Sequence, residues 1–247
     1  MSPDRRRHRG AHPEDARLFA DAEVAALRRA TAELSWLLSR GYKLTSSLKL
    51  VGDRHALRER QRLAVSRAAC SDESLVGRAS RRVGLADVRG ADLVVDGFNV
   101  VITAEAALGG GVLVRCRDGC VRDLSSVHGS YRSVDETERA ILLVGAALER
   151  LSPRAVAWLL DRPVSNSGRL AATIRRLADA RGWPWSVALE FNPDRDIIDS
   201  PHIAVTSDSN ILDGARAWLN FNDHLITHDL PHSWLIDLQA EGLRAED

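Results

Sequence analysis

Leu93-Val-Val-Asp-Gly-Phe-Asn-Val100 joins a β-branched apolar run to Asp96, Gly97 and Asn99, three residues that a buried strand does not need for packing. A short apolar run bounded by turn residues reads as a strand buried on both faces of a parallel sheet. Desolvating a carboxylate at its end costs several kcal/mol unless something compensates it. The pattern recurs downstream. Trp158-Leu-Leu is followed by Asp161, and Ala204-Val-Thr-Ser by Asp208. Between the first two runs, residues 134–151 place Ile141, Leu142, Val144 and Leu148 at helical spacing, and a second helix is expected from Arg169 to Ala180. Ser186 to Glu190 and Trp234 to Leu238 read as further strands. Strands alternating with helices predict an α/β domain over residues 90–247, a mostly parallel sheet covered by helices on both faces.

In open parallel sheets, ligands bind beyond the carboxyl ends of the strands. Three aspartates delivered there would repel one another, and a divalent cation with its preference for oxygen ligands relieves that repulsion. The competing account is that each aspartate caps the helix after it. Capping would suffice for one; its repetition at three strand ends favours a shared site.

Leu93-Val-Val-Asp-Gly-Phe-Asn-Val100 resembles the first strand of PIN-like nucleases, especially their NYN and YacP-like branch, where an Asp-Gly-Tyr/Phe-Asn motif opens the domain. Trp158-Leu-Leu-Asp161 resembles that branch's second strand, and Ala204-Val-Thr-Ser-Asp208 its late Thr-Ser-Asp strand. The chain as a whole resembles a prokaryotic family of unknown function, number 434, with a PIN-like C-terminal part. The resemblance implies a three-layer fold and phosphodiester hydrolysis, of RNA more readily than of DNA, by a water activated by Mg²⁺ or Mn²⁺. It makes Asp96 the lead metal ligand, with Asn99 orienting it or a metal-bound water, Asp208 a second ligand, direct or through water, and Asp161 a third acid at the same edge. It asks for another acid from the helix after the first strand, for which Glu136 is chosen over Glu138. There is a departure. The branch carries an acidic pair on a helix before the Thr-Ser-Asp strand, whereas Phe191-Asn-Pro-Asp-Arg-Asp-Ile-Ile-Asp-Ser-Pro201 reads as too short and too Pro-bounded for one. Either Asp194, Asp196 or Asp199 substitutes, or that ligand is absent. The alternative function is a degenerate PIN-like fold that binds RNA or nucleotides without cutting. Haloacid dehalogenase chemistry is excluded, because it needs a second aspartate where Phe98 stands.

Several polar residues are candidates for substrate contact. Ser165, Asn166 and Ser167 follow Asp161 and precede a helix, where they either meet a phosphate or cap that helix. Ser209 follows Asp208. Arg122, His128, Tyr131 and Arg132 combine phosphate-binding and stacking side chains in one segment, with internal Arg–Asp pairing as the rival account. Leu108-Gly-Gly-Gly-Val112 reads as a turn between two short strands. Trp183 and Trp185 read as a cluster at the edge of the core.

Upstream the grammar is helical. Residues 1–13 read as a disordered basic tail and 14–89 as a small all-α domain. Its first long helix is expected to be capped by Asp21, with Leu27, Leu34, Leu37 and Leu38 on one face and Trp36 adding bulk. Two shorter helices follow, near residues 45–51 and 57–69, and 71–90 reads as a connector with at most one short helix. Residues 1–89 hold 19 Lys and Arg against 11 Asp and Glu; the remainder holds 15 against 23. Either the basic half grips nucleic acid, or the halves dock on each other. Cys70, Cys116 and Cys120 lack the companions a zinc site needs and read as reduced thiols. No apolar run reaches the roughly 18 residues of a membrane span, and no apolar stretch follows the basic N-terminus, so cytoplasmic residence without a membrane partner is expected.

Overall fold

Side chains alternate along Leu93-Val94-Val95, and the alternation sorts them into different cores. Leu93 and Val95 join one buried cluster, whereas Val94 joins another with Ile197, Ile211 and Trp218. This two-sided burial makes the strand the centre of a layered sheet. The computed structural model describes residues 8–125 and 131–239.

Five helices come first: α1 (Asp15–Leu18), α2 (Asp21–Leu38), α3 (Leu44–Arg54), α4 (Glu59–Ala68) and α5 (Asp72–Arg81). Strand β1 (Arg82–Val83) and a 3-10 turn (Leu85–Val88) lead to β2 (Asp92–Asp96) and α6 (Gly97–Leu108). A hairpin of β3 (Leu113–Arg115) and β4 (Val121–Asp123) follows, then α7 (Thr137–Leu151), β5 (Ala155–Asp161), α8 (Ser167–Arg181) and β6 (Trp185–Glu190). The described chain ends with α9 (Pro193–Asp199), β7 (Ile203–Val205), α10 (Ser209–Gly214), β8 (Trp218–Leu219), α11 (Phe221–Asp229) and β9 (Leu235–Asp237).

The main sheet has six strands in the order β1-β8-β7-β2-β5-β6, every neighbouring pair parallel. The expected α/β architecture is present. On one face pack α6, α7, α8 and α11, through Val101, Ile141, Leu170 and Phe221; on the other lie α9 and α10, through Ile197 and Ile211. Strand β9 corrects the expectation of a last strand in this sheet. It pairs with β3 in a separate sheet of order β4-β3-β9. That small sheet shares a core with the helical region, where Leu27, Leu34 and Val65 pack with Val114, Leu124 and Ile236. The halves therefore dock through apolar surface.

Local departures have local causes. The run after Asp96 is not strand but α6, with ten of its residues buried, because the Asp96 carboxylate accepts from Asn99 N and starts a helix there. The glycines at 109–111 turn from α6 into β3 rather than between two strands. A Cβ at Gly111 would stand 2.7 Å from the carbonyl oxygen of Arg9, so the turn admits the incoming N-terminal segment. Residues 8–13 accordingly lie against the fold, with Arg9 pairing with Glu105; residues 1–7 fall outside the described chain. Helix α2 begins at Asp21 after Ala20, with no side-chain cap. Trp36 is 54% exposed, its ring covered by Arg40 rather than by the core. The one short helix allowed within the connector is α5, capped by Ser71. Trp183, stacked on Trp185, packs against Gly145, and Trp185 meets Trp158. The three cysteines are buried free thiols.

Candidate active site at the carboxyl edge of the sheet

Strand β2 pairs with β5 on one side and β7 on the other, so Asp96, Asp161 and the Thr206–Asp208 segment leave the sheet at one edge. Asp96 Oδ2 accepts from Thr206 Oγ1 at 2.8 Å, and Oδ1 accepts from Asn99 N at 3.3 Å. Burial pushes its pKa up to about 7; the Thr206 hydroxyl opposes the rise, while Asp208 and Asp194 add to it. Asp161 is raised by burial and then by Asp194. Asp194 is raised by burial and by Asp208, against a hydrogen bond from Asn210. Asp96, Asp161 and Asp194 are thus each raised in part by a neighbouring carboxylate. Among the described residues none of them has an arginine, lysine or histidine partner.

Capping is part of the picture. Asp208 Oδ1 accepts from Asn210 N at 2.8 Å and Ile211 N at 3.3 Å, starting α10, as Asp96 starts α6. Asp161 caps nothing.

Asp194 is the acid whose element the sequence hid. The segment whose sequence reads as too short for a helix is α9, with Pro193 in its first turn and Asn192 accepting from Arg195 N at 3.4 Å. Proline lacks only an N–H that is unsatisfied at that position anyway. Asp194 and Asn210 line a cavity of about 340 Å³ together with Asn192, Arg195, Ile198 and Asp199.

Asn99 reaches Asp96 only through its backbone N–H; its side chain holds the loop. Its side-chain oxygen accepts from Ser207 N at 2.9 Å, from Ser207 Oγ at 3.0 Å and from Asn222 Nδ2 at 3.2 Å. Asn222, which the sequence did not mark, also contacts Ser207 Oγ and Thr103 Oγ1, and its own oxygen is buried without a partner. The Thr206-Ser207-Asp208 segment is further fixed by Arg122 Nε donating to Ser207 O at 2.6 Å and Arg78 Nη2 donating to Ser209 O at 3.3 Å.

Other candidates sit elsewhere. Glu136 immediately precedes α7, and its carboxylate meets His8 at 2.6 Å instead of the aspartates. The buried acid of the helix after β2 is Glu105, engaged by Arg9, Tyr131 and Thr137. Arg122 is buried in a pair with Asp118, so its guanidinium is spent internally. Tyr131 is likewise buried, its hydroxyl on Glu105 at 2.6 Å and its ring near Phe98. Arg132 is exposed, and His128 lies outside the described residues. Ser165 and Asn166 hold the Tyr131 backbone, through Ser165 O and Asn166 Nδ2, while Ser167 is buried and donates to Arg162 O at 3.4 Å. None of the three caps α8 through its side chain. Ser209 opens α10.

The arginines of the helical region are mostly engaged as well. Arg60 pairs with Asp15, Arg62 with Asp53, Arg67 with Asp123, and Arg78 with Asp118 and Asp213. Two of these four, Arg67 and Arg78, cross to the acidic half, as the docking account expects.

For a divalent cation the donor chemistry fits: carboxylate oxygens without cationic partners, in a setting that resists their charge. Among the described residues, however, no group of three His, Cys, Asp or Glu side chains stands close enough to hold a metal ion. Mg²⁺ commonly takes only one or two carboxylates and completes its shell with water and substrate phosphate, so a closed protein cage is not required.

Residues 85–224 match a domain of unknown function (DUF5616), and residues 26–81 match a protein of unknown function (DUF434), which confines the second resemblance to the helical region. A relative named "Uncharacterized protein MJ0935", from Methanocaldococcus jannaschii, is 32% identical over 187 residues, spanning 76% of this chain and 89% of the relative. No solved structure matches. No described helix is long and apolar enough to cross a membrane. The chain belongs to the family of the DUF5616 domain, carried behind a helical segment that matches DUF434.

Proposed function

We propose that the protein is a PIN-like, divalent-cation-dependent nuclease that hydrolyses phosphodiester bonds of nucleic acid, RNA before DNA. One observation carries this reading: half-buried carboxylates gather at the sheet edge without cationic partners among the described residues, and Asp96 is driven up to about 7. A charge set kept in so unfavourable a place is a mark of function. Asp96 and Asp208 would hold Mg²⁺ or Mn²⁺, with Asp194 and Asp161 beside them. When bound, the cation would lower the pKa of a water and offset charge on the leaving oxygen.

The remaining roles fall to the chain itself. Thr206 fixes the orientation of the Asp96 carboxylate through its hydroxyl. Asn99, Asn222 and Arg122 lock the segment that carries Asp208. The open depression beside Asp194 has room for a small ligand, and the exposed Arg195 on its wall, paired there with Asp199, offers a phosphate contact.

A second reading is a protein that binds RNA or nucleotides without cutting, favoured by the lack of three close ligands. Labelled RNA incubated with Mn²⁺ separates the two. We expect cleavage by the wild type, and loss of at least about a hundredfold with retained binding in Asp96→Asn, the scale on which removing one transition-state contact acts. Binding without cleavage by the wild type would favour the second reading. Cleavage indifferent to Asp96→Asn would place the chemistry elsewhere.

A further inference from the structure

Phe191 is 72% exposed, more than any other large apolar side chain of the described residues. It follows β6 at the outer edge of the main sheet, and its position there is fixed by pairing. Asp161 of β5 is in register with Glu190, and Arg162 N donates to Glu190 O at 2.7 Å. Arg162 and Phe191 therefore leave the sheet side by side, and the guanidinium carbon stands 4.8 Å from the ring centroid. Arg162 makes no ion pair among the described residues, and the Phe191 ring packs into none of the apolar clusters. Both flank the acidic edge: Arg162 is next to Asp161, and Asp194 is three residues beyond Phe191.

We infer that Phe191 and Arg162 form a stacking subsite for an unpaired base of a nucleic-acid strand whose backbone runs past the aspartates. The inference rests on the reading of that edge as a nucleic-acid site and adds the residue that selects an unpaired strand. An aromatic face binds any base and reads no sequence, and a stacked arginine adds a cation–π contribution. The positive charge of Arg162 also offsets the repulsion that a phosphate backbone meets beside Asp161 and Asp194. A base already paired and stacked in a duplex has no free face to offer.

The test is a chemical double-mutant cycle on binding, run in the Asp96→Asn background with Mn²⁺ so that the strand stays intact. A labelled single-stranded oligonucleotide is titrated, then a series in which one base at a time is replaced by an abasic position. Phe191→Ala should weaken binding of the full strand about fivefold or more, the usual scale of one lost stack. Phe191→Trp should retain or tighten it. One abasic position should cost as much as Phe191→Ala does, and at that position Phe191→Ala should cost nothing further. Because the ring is solvent-exposed, both variants are expected to fold, and their circular dichroism should match the parent's. Single-strand binding that Phe191→Ala leaves unchanged would overturn the inference alone. Equal weakening at every abasic position, or self-association abolished by Phe191→Ala, would also overturn it. If neither the parent nor wild type binds single-stranded nucleic acid while wild type still cleaves duplex RNA with Mn²⁺, the inference falls alone; if wild type neither binds nor cleaves any RNA or DNA, the reading beneath it falls too.

Discussion

Asp118 is buried and Asp96 half-buried, and the protein treats the two aspartates in opposite ways. Asp118 sits between Arg78 at 2.5 Å and Arg122 at 2.7 Å, and also accepts from Cys120 N. Burial raises its pKa, but the two guanidiniums outweigh burial and hold it down at about 2. Asp96 has a hydroxyl and one backbone N–H, with other carboxylates nearby, and rises to about 7. Glu105 with Arg9 and Asp15 with Arg60 are further buried acids paired with an arginine. Arginine is supplied wherever a buried acid joins elements of the fold, and it is withheld at the sheet edge. The difference teaches that burial alone does not mark a site; burial without a counter-charge does.

The pair can be broken from both ends by neutralising each acid. Asp118→Asn leaves Arg122 and part of Arg78 buried without counter-charge. Losing one partner of a buried pair costs about 3–5 kcal/mol, so its denaturant midpoint should fall sharply. Asp96→Asn should do the reverse. Between the unfolded value of 3.8 and about 7, the folded protein holds a proton that the unfolded chain has released. Stability associated with Asp96 is therefore complete below pH 4 and is lost as the pH rises through about 7. Asp96→Asn should stabilise the protein at pH 8 by up to about 4 kcal/mol and change little at pH 4. Chemical denaturation at the two pH values reads both variants. A destabilising Asp96→Asn at pH 8 would mean that its carboxylate is a structural contact like that of Asp118.

A cation sharpens the same contrast. If the unpaired acids await Mg²⁺ or Mn²⁺, either ion at ten to a hundred times its Kd should stabilise wild type at pH 8 by about 1.4–2.7 kcal/mol. The increment should vanish in Asp96→Asn and persist in a variant of the Arg-paired set such as Asp15→Asn. Differential scanning fluorimetry against ion concentration measures it. An equal shift in all three would assign the effect to nonspecific charge screening.

The sequence disclosed the unpaired acids better than the paired ones. Asp96, Asp161 and Asp208 were legible because an apolar run ending in a carboxylate is anomalous on its own terms. The Asp118 cluster was not, because its arginines come from positions 78 and 122 and only folding brings them together. Arg122 and Tyr131 consequently read as surface contacts, although Asp118 and Glu105 claim them inside. The strands β2, β5, β6 and β7 were visible from their apolar runs. Helix α6 was not, since Val100, Val101, Ile102 and Thr103 carry β-branched residues that favour strand by propensity. Their burial on every side of the helix decides otherwise, as tertiary packing overrides propensity. Helix α9 was obscured by Pro193, which marks a helix start as readily as a break.

The smallest effect tests whether Asp208 belongs to the edge set or is only a cap. Its Oδ1 does what any N-cap does, accepting from Asn210 N and Ile211 N, while no described donor reaches Oδ2. Asn can reproduce the cap but not the charge, and Ala can reproduce neither. Asp208→Ala should therefore lose about 1 kcal/mol relative to Asp208→Asn at any pH. Relative to wild type, Asp208→Asn should keep the protein's stability near neutral pH and lower the pKa of Asp96, because a neighbouring like charge has been removed. The sign follows from linkage: with Asp208 neutral, the stability lost on ionising Asp96 shrinks, and its window closes at a lower pH. Denaturation curves across pH 4–8, with carboxyl carbon chemical shifts of Asp96 followed by NMR, read the two roles separately. An unchanged Asp96 titration in Asp208→Asn would reduce Asp208 to a helix start and leave the proposed ion with Asp96 and Asp194.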